Sequence, residues 1–171
     1  MRRNPFFLRS AAGFFLLMAT CASAEAFNIR FTILPEKTEY TLSEPIEVRF
    51  KLENQGASPL FVNVRFKLGP KDAPKDQREI FLQAKGPSGQ ALPCKYPAYP
   101  TGFPKSDYFQ LLQPHGEVIS EGKIDLKSYF DFKEPGIYHI TAMYENAYGQ
   151  ELGLDVFQKG STAEISLKIN P

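Results

Sequence analysis

The stretch EPGIYHITAMYE, Glu134 to Glu145, decides how the rest of the chain is read. From Ile137 onward the residues alternate, with Ile137, His139, Thr141 and Met143 on one side against Tyr138, Ile140, Ala142 and Tyr144 on the other. Successive side chains of extended backbone point to opposite faces, so this period of two is that of a half-buried strand. Pro135 and Gly136 stand immediately before it and supply a turn. In two-sheet sandwiches a tyrosine at this place returns its hydroxyl to the backbone of the crossing loop and pins the corner where the chain changes sheets. The spacing predicts Tyr138 as that corner residue, Ile140 as an inward position and Asp125 to Glu134 as the crossing loop. Within the loop, Asp125 is placed to cap a single turn that carries Leu126, Tyr129 and Phe130 inward.

The same period recurs along the chain. FNIRFTI alternates Phe27, Ile29, Phe31 and Ile33, and IEVRFKLE alternates Ile46, Val48, Phe50 and Leu52. LFVNVRFKL carries Val62, Val64, Phe66 and Leu68 after the turn residues Asn54, Gly56 and Pro59, which predicts an antiparallel pair with the strand before it. EIFLQAK presents Ile80, Leu82 and Ala84, and QALPCKY follows a Gly-rich turn as an edge strand cut by Pro93, whose missing N–H an edge tolerates. GEVISEGKI alternates only loosely, and AEISLKI closes with Ile165, Leu167 and Ile169. Helical periodicity is sustained nowhere. About seven or eight short strands separated by turn signals predict an all-β, immunoglobulin-like antiparallel sandwich.

The chain has 171 residues, 43% hydrophobic and 23% charged, enough for one domain with a real core. Its first 24 residues place Arg2, Arg3 and Arg9 before the apolar run Ala11 to Met18 and end on Ala22-Ser23-Ala24, the pattern of a cleaved secretory signal. The expected division is therefore a signal peptide over 1–24 and a single sandwich domain over 25–171, secreted or periplasmic. Met18 and Thr20 stand where a lipoprotein signal would carry Leu and Gly, Ala or Ser, so an anchor on Cys21 is not expected. The apolar run is also too short to span a membrane. Cleavage removes three arginines and no carboxylate, leaving 17 basic residues against 19 acidic. With no clustered basic surface, nucleic-acid binding is not indicated. Only Cys94 survives cleavage, so no internal disulfide is expected; it reads as a small buried hydrophobe or as a reactive thiol.

No catalytic, cofactor or metal site is expected. A Gly-x-Ser-x-Gly elbow is absent, and Cys94 has no histidine near it in sequence. Asp125, Asp131 and Glu134 gather oxygens around one loop but match no calcium-loop spacing, and read as a solvated turn with a cap. The candidate contact surface is CKYPAYPTGFPKSDYF, Cys94 to Phe109. Tyr96, Tyr99, Phe103 and Tyr108 stand there on a proline-stiffened segment, where aromatic rings lose little entropy on meeting a partner. Two readings stay open: a loop that binds a protein partner, or a cover over an exposed sheet edge. The segment Asn146 to Gly160 joins the last two strands and reads either as a projecting loop or as a short added strand through Leu152, Leu154, Val156 and Phe157.

Three stretches carry a resemblance: Glu36 to Val62, Tyr96 to Val118, and Ile124 to Glu145. Together they resemble the immunoglobulin-like domain that precedes the catalytic domain of deuterolysin-type metallopeptidases and, more loosely, the small sandwich of the intracellular proteinase inhibitor type. The resemblance covers about Phe27 to Tyr144. A zinc peptidase needs two histidines one helical turn apart with a glutamate beside the first, and this chain has only His115 and His139, far apart in sequence. What the resemblance implies is an accessory domain without its enzyme. The function expected is an exported, non-catalytic binding module for a protein partner; the alternative is a secreted proteinase inhibitor.

Overall fold

The computed structural model describes residues 28–74, 76–96, 105–146, 148–154, 156 and 160–171. Phe27, Tyr99, Phe103 and Phe157 lie outside them. One sheet is centred on β3 (Glu47–Asn54), flanked by β1 (Ile29–Pro35) on one side and by β8 (Glu117–Ile119) and β9 (Ile124–Asp125) on the other. The facing sheet runs β2 (Glu39–Thr41), β11 (Ser161–Asn170), β10 (Gly136–Tyr144), β5 (Ile80–Lys85) and β6 (Ala91–Leu92). A separate two-stranded ribbon joins β4 (Leu60–Asn63) to β7 (Phe109–Leu112). The domain is an all-β, immunoglobulin-like sandwich, and among these pairings only β2 with β11 is parallel. Eleven strands occur among the described residues, more than the expected seven or eight, because β2, β6, β8 and β9 are pieces of two or three residues.

The alternation translates directly into a core. Phe31 and Ile33 of β1 and Val48, Phe50 and Leu52 of β3 are buried against Tyr138, Ile140, Ala142 and Tyr144 of β10 and Leu82 of β5. Phe31 spans both layers: its ring stacks on Phe50 in its own sheet at 5.6 Å and meets Tyr144 of the other at 5.6 Å. Such pairs add to the burial that holds the sheets together.

The Pro-Gly-x-Tyr stretch enters β10. The Tyr138 hydroxyl donates to the Glu134 carbonyl at 2.8 Å, and its ring packs edge-on against Phe132. Gly136 has φ of 145°, and a Cβ there would come within 2.5 Å of Pro87, so both backbone and space call for glycine. Asp125 caps the 3₁₀ turn Leu126–Ser128 by accepting from the Lys127 N–H at 3.0 Å, and it also accepts from the Ile46 N–H at 3.0 Å. One carboxylate thus ties the loop to the start of β3.

Two expectations need correction. β3 and β4 do not pair; β3 pairs with β1, β8 and β9, and β4 with β7. The strand through Phe66 and Leu68 also stops at Asn63. There the Asn63 Oδ1 accepts from the Arg65 N–H at 3.0 Å, folding the chain into a side-chain-closed turn, and Phe66 takes φ of 49°. Phe66 and Leu68 are nevertheless buried, so their apolar spacing reports burial and not strand conformation.

Candidate functional site

Asn54 explains why β3 and β4 part. The side chain is fully buried, with Nδ2 donating to the Ser58 and Leu112 carbonyls at 2.9 and 3.1 Å and Oδ1 accepting from the Gly56 N–H at 2.9 Å. Its backbone exchanges bonds with the Gln113–Gly116 turn: Asn54 N–H donates to the Gly116 carbonyl and His115 N–H to the Asn54 carbonyl. The turns after β3 and after β7 are therefore tied at one residue. From that tie the β3–β8 and β4–β7 arms depart, and a groove of about 550 Å³ lies between residues 64–66 and 107–110 of one arm and 118–124 of the other.

Behind one wall sits a buried ion pair that sequence reasoning missed. Glu79 is 1% exposed, and its carboxylate receives Arg65 Nε at 3.0 Å, Asn63 Nδ2 at 3.1 Å and the Lys67 N–H at 2.8 Å. Burial pushes the Glu79 carboxyl up while the Arg65 guanidinium pulls it down, and burial is the larger effect. Arg65 also donates to the Asp76 carbonyl and lies over the Tyr108 ring at 5.6 Å. Its charge is neutralised inside the wall while its flat face supports an aromatic at the groove. Arg65 and Glu79 stand 14 residues apart, and no local pattern joins them.

Two large apolar side chains, Tyr108 and Ile119, are solvent-exposed in the groove lining among the polar residues Asp107, Gln110, Glu121 and Lys123. Tyr108 is 36% exposed and Ile119 on β8 is 38%, while Leu111 on β7, at 43%, is exposed outside the groove lining. These are three of the five most exposed large apolar side chains among the described residues, the others being Ile137 and Leu152. A sequence signal for Leu111 and Ile119 was available: Leu111-Leu112 and Val118-Ile119 break the period of two, which forces one apolar residue of each pair onto the outer face.

The predicted contact residues separate. Tyr108 lines the groove. Tyr96 does not: its hydroxyl accepts from the Leu82 N–H at 2.8 Å and donates to the Leu82 carbonyl at 3.3 Å, two residues along β5 from where β6 stops pairing at Ala84. Its ring meets Tyr129 edge-on, and burial holds the hydroxyl well above the usual phenol range. Tyr96 covers a sheet edge, as one of the two readings of this segment requires. Tyr99 and Phe103 fall outside the described residues.

The remaining candidates resolve structurally. Cys94 is half-buried against the core, and burial pushes its thiol up, away from the reactive thiolate. Asp131 pairs with Lys95 at 2.7 Å, and Asp125 is the cap described above. Among the described residues no His, Cys, Asp and Glu group is placed to hold a metal, and no helix is long and apolar enough to cross a membrane. His115 lies in the turn before β8 with φ of 61°, and His139 on β10 meets the Ser166 hydroxyl at 2.9 Å. Of the segment 146–160, Gln150–Leu152 form a 3₁₀ turn and Val156 makes an isolated parallel bridge to Phe61.

No family model matches the chain, and no curated protein does. Among solved structures it is similar to a CARDB domain from Pyrococcus furiosus, crystallised in complex with di-metal ions, with 12% identity and a TM-score of 0.40. The likeness covers 85% of this chain and 94% of that one.

Proposed function

We propose that this chain is an exported, non-catalytic binding module that meets a protein partner at the groove between β7 and β8. The observation that carries this reading is that Tyr108 and Ile119, both solvent-facing, line one concavity together. Large apolar side chains scattered singly need no explanation, but a cluster beside a groove marks a contact surface. Tyr99 and Phe103, two further aromatic residues of the Cys94–Phe109 stretch, fall outside the described residues and are tested beside Tyr108.

Co-purification with exported proteins of the source cell tests it, using wild type, Tyr108→Ala, and the double variant Tyr99→Ala/Phe103→Ala. A partner identified with wild type, rebound as a pure protein and lost with Tyr108→Ala at unchanged melting temperature, is the expected result. Equal capture by all three baits overturns the assignment of the groove. The inhibitor alternative is separated in the same experiment, since it requires the captured protein to be a protease blocked at one-to-one ratio.

A further inference from the structure

On four strands a side chain takes up backbone groups that no neighbouring strand reaches. On β1 the Ser161 hydroxyl accepts from the Phe31 N–H at 3.2 Å and donates to the Ile29 carbonyl at 3.0 Å. On β2 the Thr41 N–H is taken by Glu44 at 2.8 Å, and on β5 Tyr96 takes both groups of Leu82. On β4, Asn146 accepts from the Asn63 N–H at 2.8 Å and donates to the Phe61 carbonyl at 2.9 Å, while the Tyr144 hydroxyl donates to the Asn63 carbonyl at 2.9 Å. Each side chain stands in for a missing strand, which blunts the edge.

β8 differs. Asn54 N–H donates to the Gly116 carbonyl and Ser120 N–H to the Phe50 carbonyl, so these even-numbered residues turn their backbone groups toward β3. Alternation then turns the N–H and C=O of Glu117 and Ile119 away from the sheet. Among the described residues no strand or side chain takes them up. Beside them lies the groove, with Ile119 and Tyr108 on its rim.

Charge narrows the occupant. Arg65 is spent on Glu79, and Lys123 sits between Glu36 and Glu47. Asp107 and Glu121, both exposed groove residues, have no ion pair among the described residues. The groove therefore presents two carboxylates without an ion pair beside the exposed side chains of Tyr108 and Ile119. We propose that β8 accepts an extended basic peptide as an added strand, hydrogen-bonded to Glu117 and Ile119, with its apolar residues against Tyr108 and Ile119 and its cations near Asp107 and Glu121. The proposal rests on the groove being the contact surface.

Fluorescence anisotropy at physiological ionic strength tests it with three labelled short peptides: alternating Lys and Val, alternating Glu and Val, and the Lys/Val peptide broken by proline. Saturable binding of the first alone is expected, with backbone amide shifts at Glu117 and Ile119. Ile119→Pro deletes an N–H that faces away from β3, which an edge tolerates, and should weaken binding about tenfold or more. Should that variant not fold, Asp107→Asn/Glu121→Gln carries the test and should weaken the Lys/Val peptide. Equal binding of all three peptides, or no effect of any folded variant, overturns the proposal. So does dimerisation of the pure protein through β8, or peptide binding gained only when residues 97–104 are replaced by a Gly-Ser linker, since either result gives the edge to the chain itself. Failure of every peptide while Tyr108→Ala still loses a captured protein removes strand addition and leaves the binding-module reading standing.

Discussion

The outer edges of β4 and β8 pose the same problem and meet opposite treatment. β4 is sealed by Asn146 and Tyr144, both buried, and Arg65 and Glu79 are packed beside it. β8 turns the backbone of Glu117 and Ile119 outward beside exposed apolar side chains. The difference teaches where rigidity is invested. On the β4 side Asn63, Asn146, Tyr144 and Glu79 are buried and hydrogen-bonded to one another or to backbone, so deleting one leaves another uncompensated. On the β8 side the exposed groups are already solvated, so deletions should cost little stability.

The largest effect is expected at Glu79. Glu79→Ala strands the Arg65 guanidinium together with the Lys67 N–H and should cost about 3–5 kcal/mol in urea unfolding. A loss under about 1 kcal/mol would mean water replaces the carboxylate and the β4 wall is not dry. Asn146→Ala comes next. It orphans the Asn63 N–H and the Phe61 carbonyl and should cost about 2–4 kcal/mol, read by the same unfolding curve.

Smaller again is Tyr138→Phe, which removes one hydroxyl donor to the Glu134 carbonyl while keeping the ring, and should cost about 1–2 kcal/mol by thermal unfolding. This residue also measures what was legible in the sequence. Tyr138 could be placed because its signal is local: a turn pair, a tyrosine and an alternating strand fall within a dozen residues. The β10 burial pattern follows for the same reason. Asn54, Gly56 and Pro59 look like hairpin chemistry between β3 and β4, whereas Asn54 reaches a carbonyl 58 residues away, at Leu112. The spacing of Phe66 fits a strand, and nothing in that spacing reveals that Asn63 closes a turn through its own side chain. Tyr96 and Tyr108 looked alike in sequence and have different tasks. Only Leu82, from a strand 14 residues earlier, tells them apart.

The smallest effect is the one that tests the contrast most sharply. Ile119→Ser removes an apolar side chain from the rim, and because that side chain is 38% exposed on an outer strand, its loss should change stability by no more than about 0.5 kcal/mol. Its backbone pairing with Lys51 is independent of the side chain and should persist. Thermal unfolding beside Asn146→Ala gives the comparison directly: a large loss at the sealed edge and almost none at the open one. An equal loss at both would mean that Ile119 is packed against something that seals β8 as Asn146 seals β4. An Ile119→Ser variant of unchanged stability would make this exposed apolar side chain a feature the fold does not need, and it is such residues that a binding surface retains at the expense of solubility.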